Sequence, residues 1–523
     1  MSVMRGAASI GSGLAPARRA RPIRRHERIH VIGAAGAGAS AAALLAHAAG
    51  ALVSGCDAGG SSPYTPAVEA VGIHLDWSHQ AEHVTGSLPP DRLAVTKALT
   101  AIDPDNPELA AARSAGIPLE PWQQVIADAA YDRQLVAVAG THGKSTSSGW
   151  LVHVLASTGA DPAAFVGALM PGSLTGGRPA TARLGAGRQF VVEADEYAGN
   201  FDPYRPNVAI LTSAEWDHPD VFADLDAVID CFVDWLAKSE ADSSGRPPAV
   251  IANVGDPGVA EVATRLGNWP GQLWAVALWA GSVDAEATVV QQFAERFATA
   301  GGPARVLIGR VIEASPTGTT LELRTSLLPD TVTTRLHLPG RHNAANGLGV
   351  AGAALHLGLD GADVAAGLAS FSGVGRRLER KGEGRGVVVF DDYGHHPSAI
   401  RETLAAVRQV EPGRRLWAVY EPLTYHRTAA MLGPFADVLS QADGVVIADI
   451  WASRDPDTSI TSAAELAKAV ARRNSTIPVA APGSVEVTAE WLAREVKPGD
   501  AVLVMGGGKS YRIAELLLEA LRR

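Results

Sequence analysis

Lys144, followed at once by Ser145 and Thr146 and preceded by Gly140 and Gly143, is the group of residues in this chain best suited to gripping phosphate. Gly143 lets the main chain approach an anion, Lys144 offers a point charge for terminal phosphates, and the Ser145 or Thr146 hydroxyl can ligate Mg²⁺ at a helix N-terminus. The common pattern G-x-x-x-x-G-K-[ST] asks for glycine at position 138, where Val138 stands, so AGTHGKST is a variant of it. Acids and imidazoles follow. QFVVEAD carries Glu193 and Asp195, SAEWDHPD carries Glu215, Asp217 and His218, and FDDYGHHP carries Asp391, Asp392, His395 and His396. Glu193 and His218 are candidate ligands, direct or through water, for a Mg²⁺ that bridges phosphates. Together these residues describe a protein that handles ATP or a close relative.

Those groups need a scaffold, and the surrounding sequence supplies one. The apolar run Leu135 to Ala139 has the length of a strand covered on both faces, and a helix follows the loop. Two further apolar runs, Gln189 to Asp195 and Val208 to Thr212, also end in chemistry. In an open parallel sheet ligands collect at the carboxyl ends of strands, so three such ends converge on one site. Nearer the N-terminus, RIHVIGAAGAGASAAALLAHAAGALVSGCDAG reads as strand, glycine turn, helix, strand and acid. Gly36, Gly38 and Ala41 fit G-x-G-x-x-[GA] with Asp57 about twenty residues on, a dinucleotide fingerprint that alone suggests NAD. The same geometry serves any diphosphate at a helix N-terminus, and a dehydrogenase has no use for a second loop of the GKST kind. The region from about 267 to 335 is richer in short β segments, and the remainder alternates strands and helices into another α/β unit.

A length of 523 residues accommodates three domains at roughly 150 residues each. A hydrophobic content of 47% leaves core burial in no question, and a net charge of -10 argues against nonspecific nucleic-acid binding. Cys56 and Cys231 stand far apart without metal-ligand spacing, which fits a reducing, cytoplasmic setting. Residues 1–27 read as a disordered basic tail. No apolar run reaches the roughly eighteen residues of a membrane span.

The motifs GTHGKST, EADEY, the DH of EWDH, GRHNAAN, GVGRRLE, DDYGHHP and the YHRT of EPLTYHRT occur in that order over nearly the whole chain from Arg28. In this they resemble the Mur ligase family, ATP-dependent amide-forming enzymes of bacterial cell-wall synthesis. The resemblance implies an α/β fold of three domains. A Rossmann-like N-terminal domain at 28–133 would bind the UDP portion, a central phosphate-loop ATPase would span 134–335, and a Rossmann-like C-terminal domain would occupy 336–523. It also implies ATP and Mg²⁺, with UDP-N-acetylmuramate and L-alanine as small-molecule substrates; a murein tripeptide in place of L-alanine is the alternative. A monomer or homodimer without membrane insertion is expected.

Carried over by motif, Gly140, Thr141, His142, Gly143, Lys144, Ser145 and Thr146 would cradle ATP. Ser145, Glu193 and His218 would serve the metal. His342 and Asn343 would face adenine, and Arg377 would reach across a domain interface to phosphate. Asp392 and His396 would lie near the acyl phosphate and the incoming amine, Arg427 would bind the amino-acid carboxylate, and Gly33, Gly36 and Gly38 with Asp57 would take the UDP portion. The chain departs from the family where VTKAL replaces a Ser-Ser-Ala run, where Leu423 replaces a histidine, and where GGGKSY replaces GAGD.

Overall fold

Strands that end in glycine turns and return through helices build three sheets, described by a computed structural model over residues 10–281, 283–328, 330–452, 455 and 457–523. The first sheet is wholly parallel, with strands in the order His74–Asp76, Leu52–Cys56, Arg28–Ile32, Arg92–Val95 and Leu119–Pro121. Its order of 3-2-1-4-5 makes Arg28–Ile32 the central strand, and the glycine turn leaves from that strand's carboxyl end. The helix Ala37–Ala48 is rich in alanine because it is buried along most of its length.

The central sheet has ten strands and pairs Gln134–Ala139 in parallel between Gln189–Glu193 and Val208–Leu211. The three strand ends that carry the phosphate loop, Glu193 and the EWDH cluster are therefore immediate neighbours. Arg305–Ser315, Gly318–Arg324 and Val332–Leu336 form the antiparallel edge of that sheet. The third sheet has six strands, with Val387–Asp392 beside Asp500–Gly506 and Arg415–Glu421 next in line.

Two expectations need correction. The division expected at residue 335 cuts through the central core. Helices Arg341–His356 and Gly361–Ser370 bury Leu348, Val350, Val364 and Leu368 with Val136, Val138 and Trp150 of the central domain, and the third sheet begins only at Glu379. Small residues allow this packing: a Cβ on Gly352 would come within 2.8 Å of the Ile251 side chain.

The basic segment is also not a free tail over residues 10–27. Arg18 donates to Glu120 at 2.8 Å and to Asp128 at 2.8 Å, while Arg21 pairs with Glu27 at 2.6 Å. The same three acids surround the buried Arg92 at 2.5 to 3.1 Å. A guanidinium removed from such a network leaves uncompensated buried charge, at a cost of about 3–5 kcal/mol. The rest of the expected tail, residues 1–9, lies outside the described residues.

Candidate active site

The strand Gln134–Ala139 is buried along its whole length and delivers Gly140, at φ 133°, into a turn that L side chains rarely adopt. A Cβ on Gly140 would meet Thr212 Oγ1 at 2.2 Å, so the close approach of two strand ends requires glycine there. Gly143, at φ 80°, starts the helix Lys144–Ser157 and aims its first amides into the loop. Lys144 Nζ donates to the Gly140 carbonyl at 2.7 Å and to Glu196 Oε2 at 2.8 Å, with Asp195 Oδ1 at 3.3 Å. Burial pulls the Lys144 pKa down, but the Glu196 and Asp195 carboxylates outweigh it and hold the group above the ordinary lysine value. The ammonium is fully charged and already oriented.

Ser145 Oγ donates to Glu193 Oε1 at 2.9 Å, and Glu193 Oε2 accepts the Gly167 N–H at 2.6 Å. A hydroxyl and a carboxylate side by side next to a phosphate loop are hard oxygen donors, and they fit Mg²⁺. His218 belongs to a neighbouring group, with one nitrogen close to carboxylate oxygens of Asp195 and Glu196. Its backbone stands at φ 55°, and its ring meets Arg427 of the third domain at Nδ1.

Arg377 crosses the domain boundary. Its Nη2 donates to Ser145 Oγ at 2.7 Å, and its guanidinium sits 4.9 Å above the Tyr393 ring. The adjacent Arg376 turns inward to Asp391 and the Gly506 carbonyl, which separates the roles of the two arginines in GRRLE. Arg427 is only 2% exposed. Its Nε donates to Asp217 at 2.8 Å and its Nη2 to His218 Nδ1 at 3.1 Å, while Nη1 has no hydrogen-bond partner among the described residues. Burial lowers the His218 pKa, with Arg427 adding to the effect, so this imidazole is neutral and accepts at Nδ1.

His142, Glu215 and His396 form a second imidazole and carboxylate group. Glu215 Oε2 lies 3.8 Å from His142 Nε2 and 3.7 Å from His396 Nδ1, and accepts from Ser398 Oγ at 2.5 Å. Burial and the neighbouring His142 push the His396 pKa down to about 4. Against burial, which raises it, His142 and Ser398 bring the Glu215 pKa to about 2. Asp392 uses Oδ2 for the Leu378 N–H at 2.7 Å and Oδ1 for the Gly394 N–H at 2.6 Å, so it braces the loop that presents His395 and His396. Asn343 Nδ2 caps the Pro339 carbonyl at 2.7 Å, and His342 Nδ1 lies 3.5 Å from Glu402.

In the first domain, Gly33 stands at φ 82°, where a Cβ would meet Thr96 Oγ1 at 2.5 Å. A Cβ on Gly38 would overlap the Trp122 ring at 2.2 Å. Asp57 accepts from the Ala35 N–H at 3.0 Å and the Gly59 N–H at 2.8 Å, and so locks the turn. One cavity of about 590 Å³ is lined from all three domains, by Gly38, Lys144, His218, Arg377, His396 and Arg427 among others. Gly33, Gly36, Ser145 and Asp57 are not part of that lining. Sequence reasoning did not single out Glu196 or the pairing of Asp217 with Arg427. Glu196 had a signal, since it follows Glu193 and Asp195 in EADEY; the pairing had none, because its members are 210 residues apart.

A phosphate loop between parallel strands of the central sheet, closed from the third domain by an arginine on its serine, defines an enzyme that works on a nucleoside triphosphate between three α/β domains. Family models match in chain order: the Mur ligase family catalytic domain over residues 28–134, the Mur ligase middle domain over 138–354, and the Mur ligase glutamate ligase domain over 376–508. The chain belongs to the Mur ligase family and is an ATP-dependent ligase. It is 34% identical to the UDP-N-acetylmuramate–L-alanine ligase of Acidothermus cellulolyticus over 96% of each chain. The enzyme of the same name from Mycobacterium marinum is 34% identical over 95% of each. The crystal structure of the UDP-N-acetylmuramate-alanine ligase of Thermotoga maritima shares the fold, with a TM-score of 0.72 and 23% identity over 94% of this chain and 99% of that one. Among the described residues no helix is long and apolar enough to cross a membrane.

Proposed function

We propose that this enzyme joins L-alanine to the carboxylate of UDP-N-acetylmuramate in the cytoplasm. A muramoyl carboxylate oxygen bonds to the γ-phosphorus of ATP while the bond to the β-phosphate oxygen breaks, giving an acyl phosphate and ADP. The neutral amine of alanine then bonds to the acyl carbon, phosphate leaves, and the amine loses a proton. The observation that carries this reading is the buried Arg427, whose Nη1 has no hydrogen-bond partner among the described residues and which lines the same cavity as Lys144. A guanidinium with one end held by Asp217 and the other available is suited to the carboxylate of an amino acid.

Lys144 would neutralise charge on the terminal phosphates, where negative groups of both substrates must meet. Arg377 would add to that charge from the third domain. Mg²⁺ held by Ser145 and Glu193 would supply further charge neutralisation at those phosphates. His218 and His396, both kept neutral by burial, are the imidazoles of the cavity suited to the amine and its proton. Asp392 acts as a positioning residue for His396. The first-domain turn with Gly33, Gly36 and Gly38 would take the UDP diphosphate at the N-terminus of Ala37–Ala48. Free Cys56 and Cys231 support a reducing compartment.

The test is phosphate release from ATP with UDP-N-acetylmuramate, offering L-alanine, glycine, L-serine and the murein tripeptide in parallel. Release that depends on L-alanine, with formation of the UDP-muramoyl-alanine product, is the expected result. Release only with the tripeptide would overturn the choice of amine while keeping the ligase chemistry.

A further inference from the structure

Outside the lining of the cavity, four elements and the loop that carries His79 bring together His30, Cys56, His79, His83 and Glu108. His30 comes from the central strand Arg28–Ile32, and Cys56 ends the neighbouring strand Leu52–Cys56. His83 lies on the short helix Glu82–Thr85, and Glu108 in the first turn of Pro107–Ala115. Ligand atoms of His30, Cys56, His83 and Glu108 all fall within 4.8 Å of one another. His30 is 2% exposed, and Cys56 and Glu108 are fully buried.

We propose that His30, Cys56, His83 and Glu108 form a structural binding site for a divalent transition metal of borderline softness, zinc foremost. One sulfur, two imidazole nitrogens and one carboxylate oxygen match the donors that zinc takes in closed four-coordinate sites, and the thiolate disfavours Mg²⁺ and Ca²⁺. A tetrahedral zinc ion places its donors about 3.3–3.6 Å apart, from bond lengths of about 2.0–2.3 Å. Here Cys56 Sγ lies 3.1 and 3.2 Å from the two Glu108 oxygens, and His30 Nε2 lies 3.5 Å from Glu108 Oε1. His83 Nδ1 also contacts Glu108 Oε1.

The observation that separates this group from ordinary polar packing is His30 Nε2. It faces Glu108 Oε1 at 3.5 Å and makes no well-formed hydrogen bond among the described residues. Leaving a buried polar atom without a well-formed hydrogen bond is costly, and a metal bond would remove the deficit. Both imidazoles are also held from behind. His30 Nδ1 is bonded to Ser54 Oγ at 2.8 Å, and His83 Nε2 lies 3.4 Å from Asp76 Oδ2. Such outer partners fix the tautomer and ring orientation of metal-binding histidines. His79 Nδ1, 3.3 Å from Cys56 Sγ and 3.1 Å from Glu108 Oε2, closes the remaining side.

Binding displaces the Cys56 thiol proton to solvent, and burial together with Glu108 holds that thiol well above its ordinary pKa in the absence of metal. The ion would tie two strands and two helices around the small core of Ile32, Val84, Leu93, Val95 and Leu109. It would also sit directly under the turn, because the Cys56 carbonyl accepts the Gly33 and Ala34 N–H groups at 2.9 and 3.0 Å.

Titration of the chelator-treated full chain with Co²⁺ tests the site. One Co²⁺ per chain, a near-ultraviolet sulfur-to-cobalt charge-transfer band and displacement by Zn²⁺ are expected. Cys56→Ser should lose the band, Cys231→Ser should keep it, and His30→Gln should weaken binding at least tenfold. Ser54→Ala removes only the support behind His30 and should weaken binding about 10–100-fold in a folded protein. Absence of the band in the unsubstituted chain, its persistence in Cys56→Ser, or unchanged affinity in both His30→Gln and Ser54→Ala would overturn the proposal.

Discussion

The first and central domains each carry a strand, a glycine turn and a helix, yet the two turns differ in the charge they present. Around Gly33, Gly36 and Gly38 the turn is closed by the Asp57 carboxylate, which accepts from backbone N–H groups. Around Gly140 and Gly143 the turn ends in Lys144, whose ammonium is held between a carbonyl and two carboxylates. Backbone amides and the helix dipole suffice to hold a diphosphate. Moving a phosphoryl group also needs a full positive charge, fixed in advance, where charge develops. The difference between the turns is thus one of side-chain charge on a common backbone device.

Replacing the central loop's charge is the most severe way to break the comparison. Lys144→Ala should lower kcat about 10²–10³-fold, as loss of a preorganised charge-stabilising group does. Steady-state phosphate release measures it, and near-normal kcat would assign phosphate-transfer charge elsewhere.

Arg427→Ala comes next. Loss of a charge-assisted contact worth about 1.5–3 kcal/mol should raise KM for the amino acid roughly 10–150-fold, with the KM for ATP much less affected. Arg427→Lys, which keeps the charge beside Asp217, should fold normally and still bind the amino acid weakly for want of the fork. A shift confined to the ATP KM would reject the carboxylate role.

Gly38→Val sharpens the other side of the comparison. The new side chain meets Trp122, so thermal unfolding should register a loss of about 1–3 kcal/mol. KM for UDP-N-acetylmuramate should rise more than KM for ATP. Equal effects on both would mean that the first turn does not serve one substrate.

A further expected effect concerns pH. His396 has a folded pKa of about 4 against an ordinary value of 6.5. Between these values the unfolded chain binds the proton and the folded chain does not, so stability rises with pH across that window. His142 and Glu215 face this ring. His396→Asn should flatten the pH dependence of the melting temperature between about pH 4 and 6.5. An unchanged slope would remove His396 as its source.

How much of this was legible in the chain depends on range. The strand before Gly140, the loop and the helix after it lie within a few residues, and their order carried the assignment. Arg377 on Ser145 and Arg427 on Asp217 span 232 and 210 residues, and motif resemblance suggested a destination only for the arginines. The β-rich stretch ends near residue 335, but the helix Arg341–His356 that follows packs back on the central core through Leu348 and Val350, a long-range contact that no local pattern marks. The basic segment looked solvated because Glu120 and Asp128, which bind Arg18, come a hundred residues later.

The amino-acid sequence by itself determined the alternation of strands and helices, the two glycine turns and the stock of phosphate-binding, acidic and imidazole groups, because each follows from local periodicity and backbone freedom. Only the tertiary structure decided which acids hold Lys144, that one arginine of GRRLE faces Ser145 while the other turns inward, and that His30, Cys56, His83 and Glu108 meet. Those outcomes depend on burial and on the pairing of charges brought from distant segments, which no local pattern encodes.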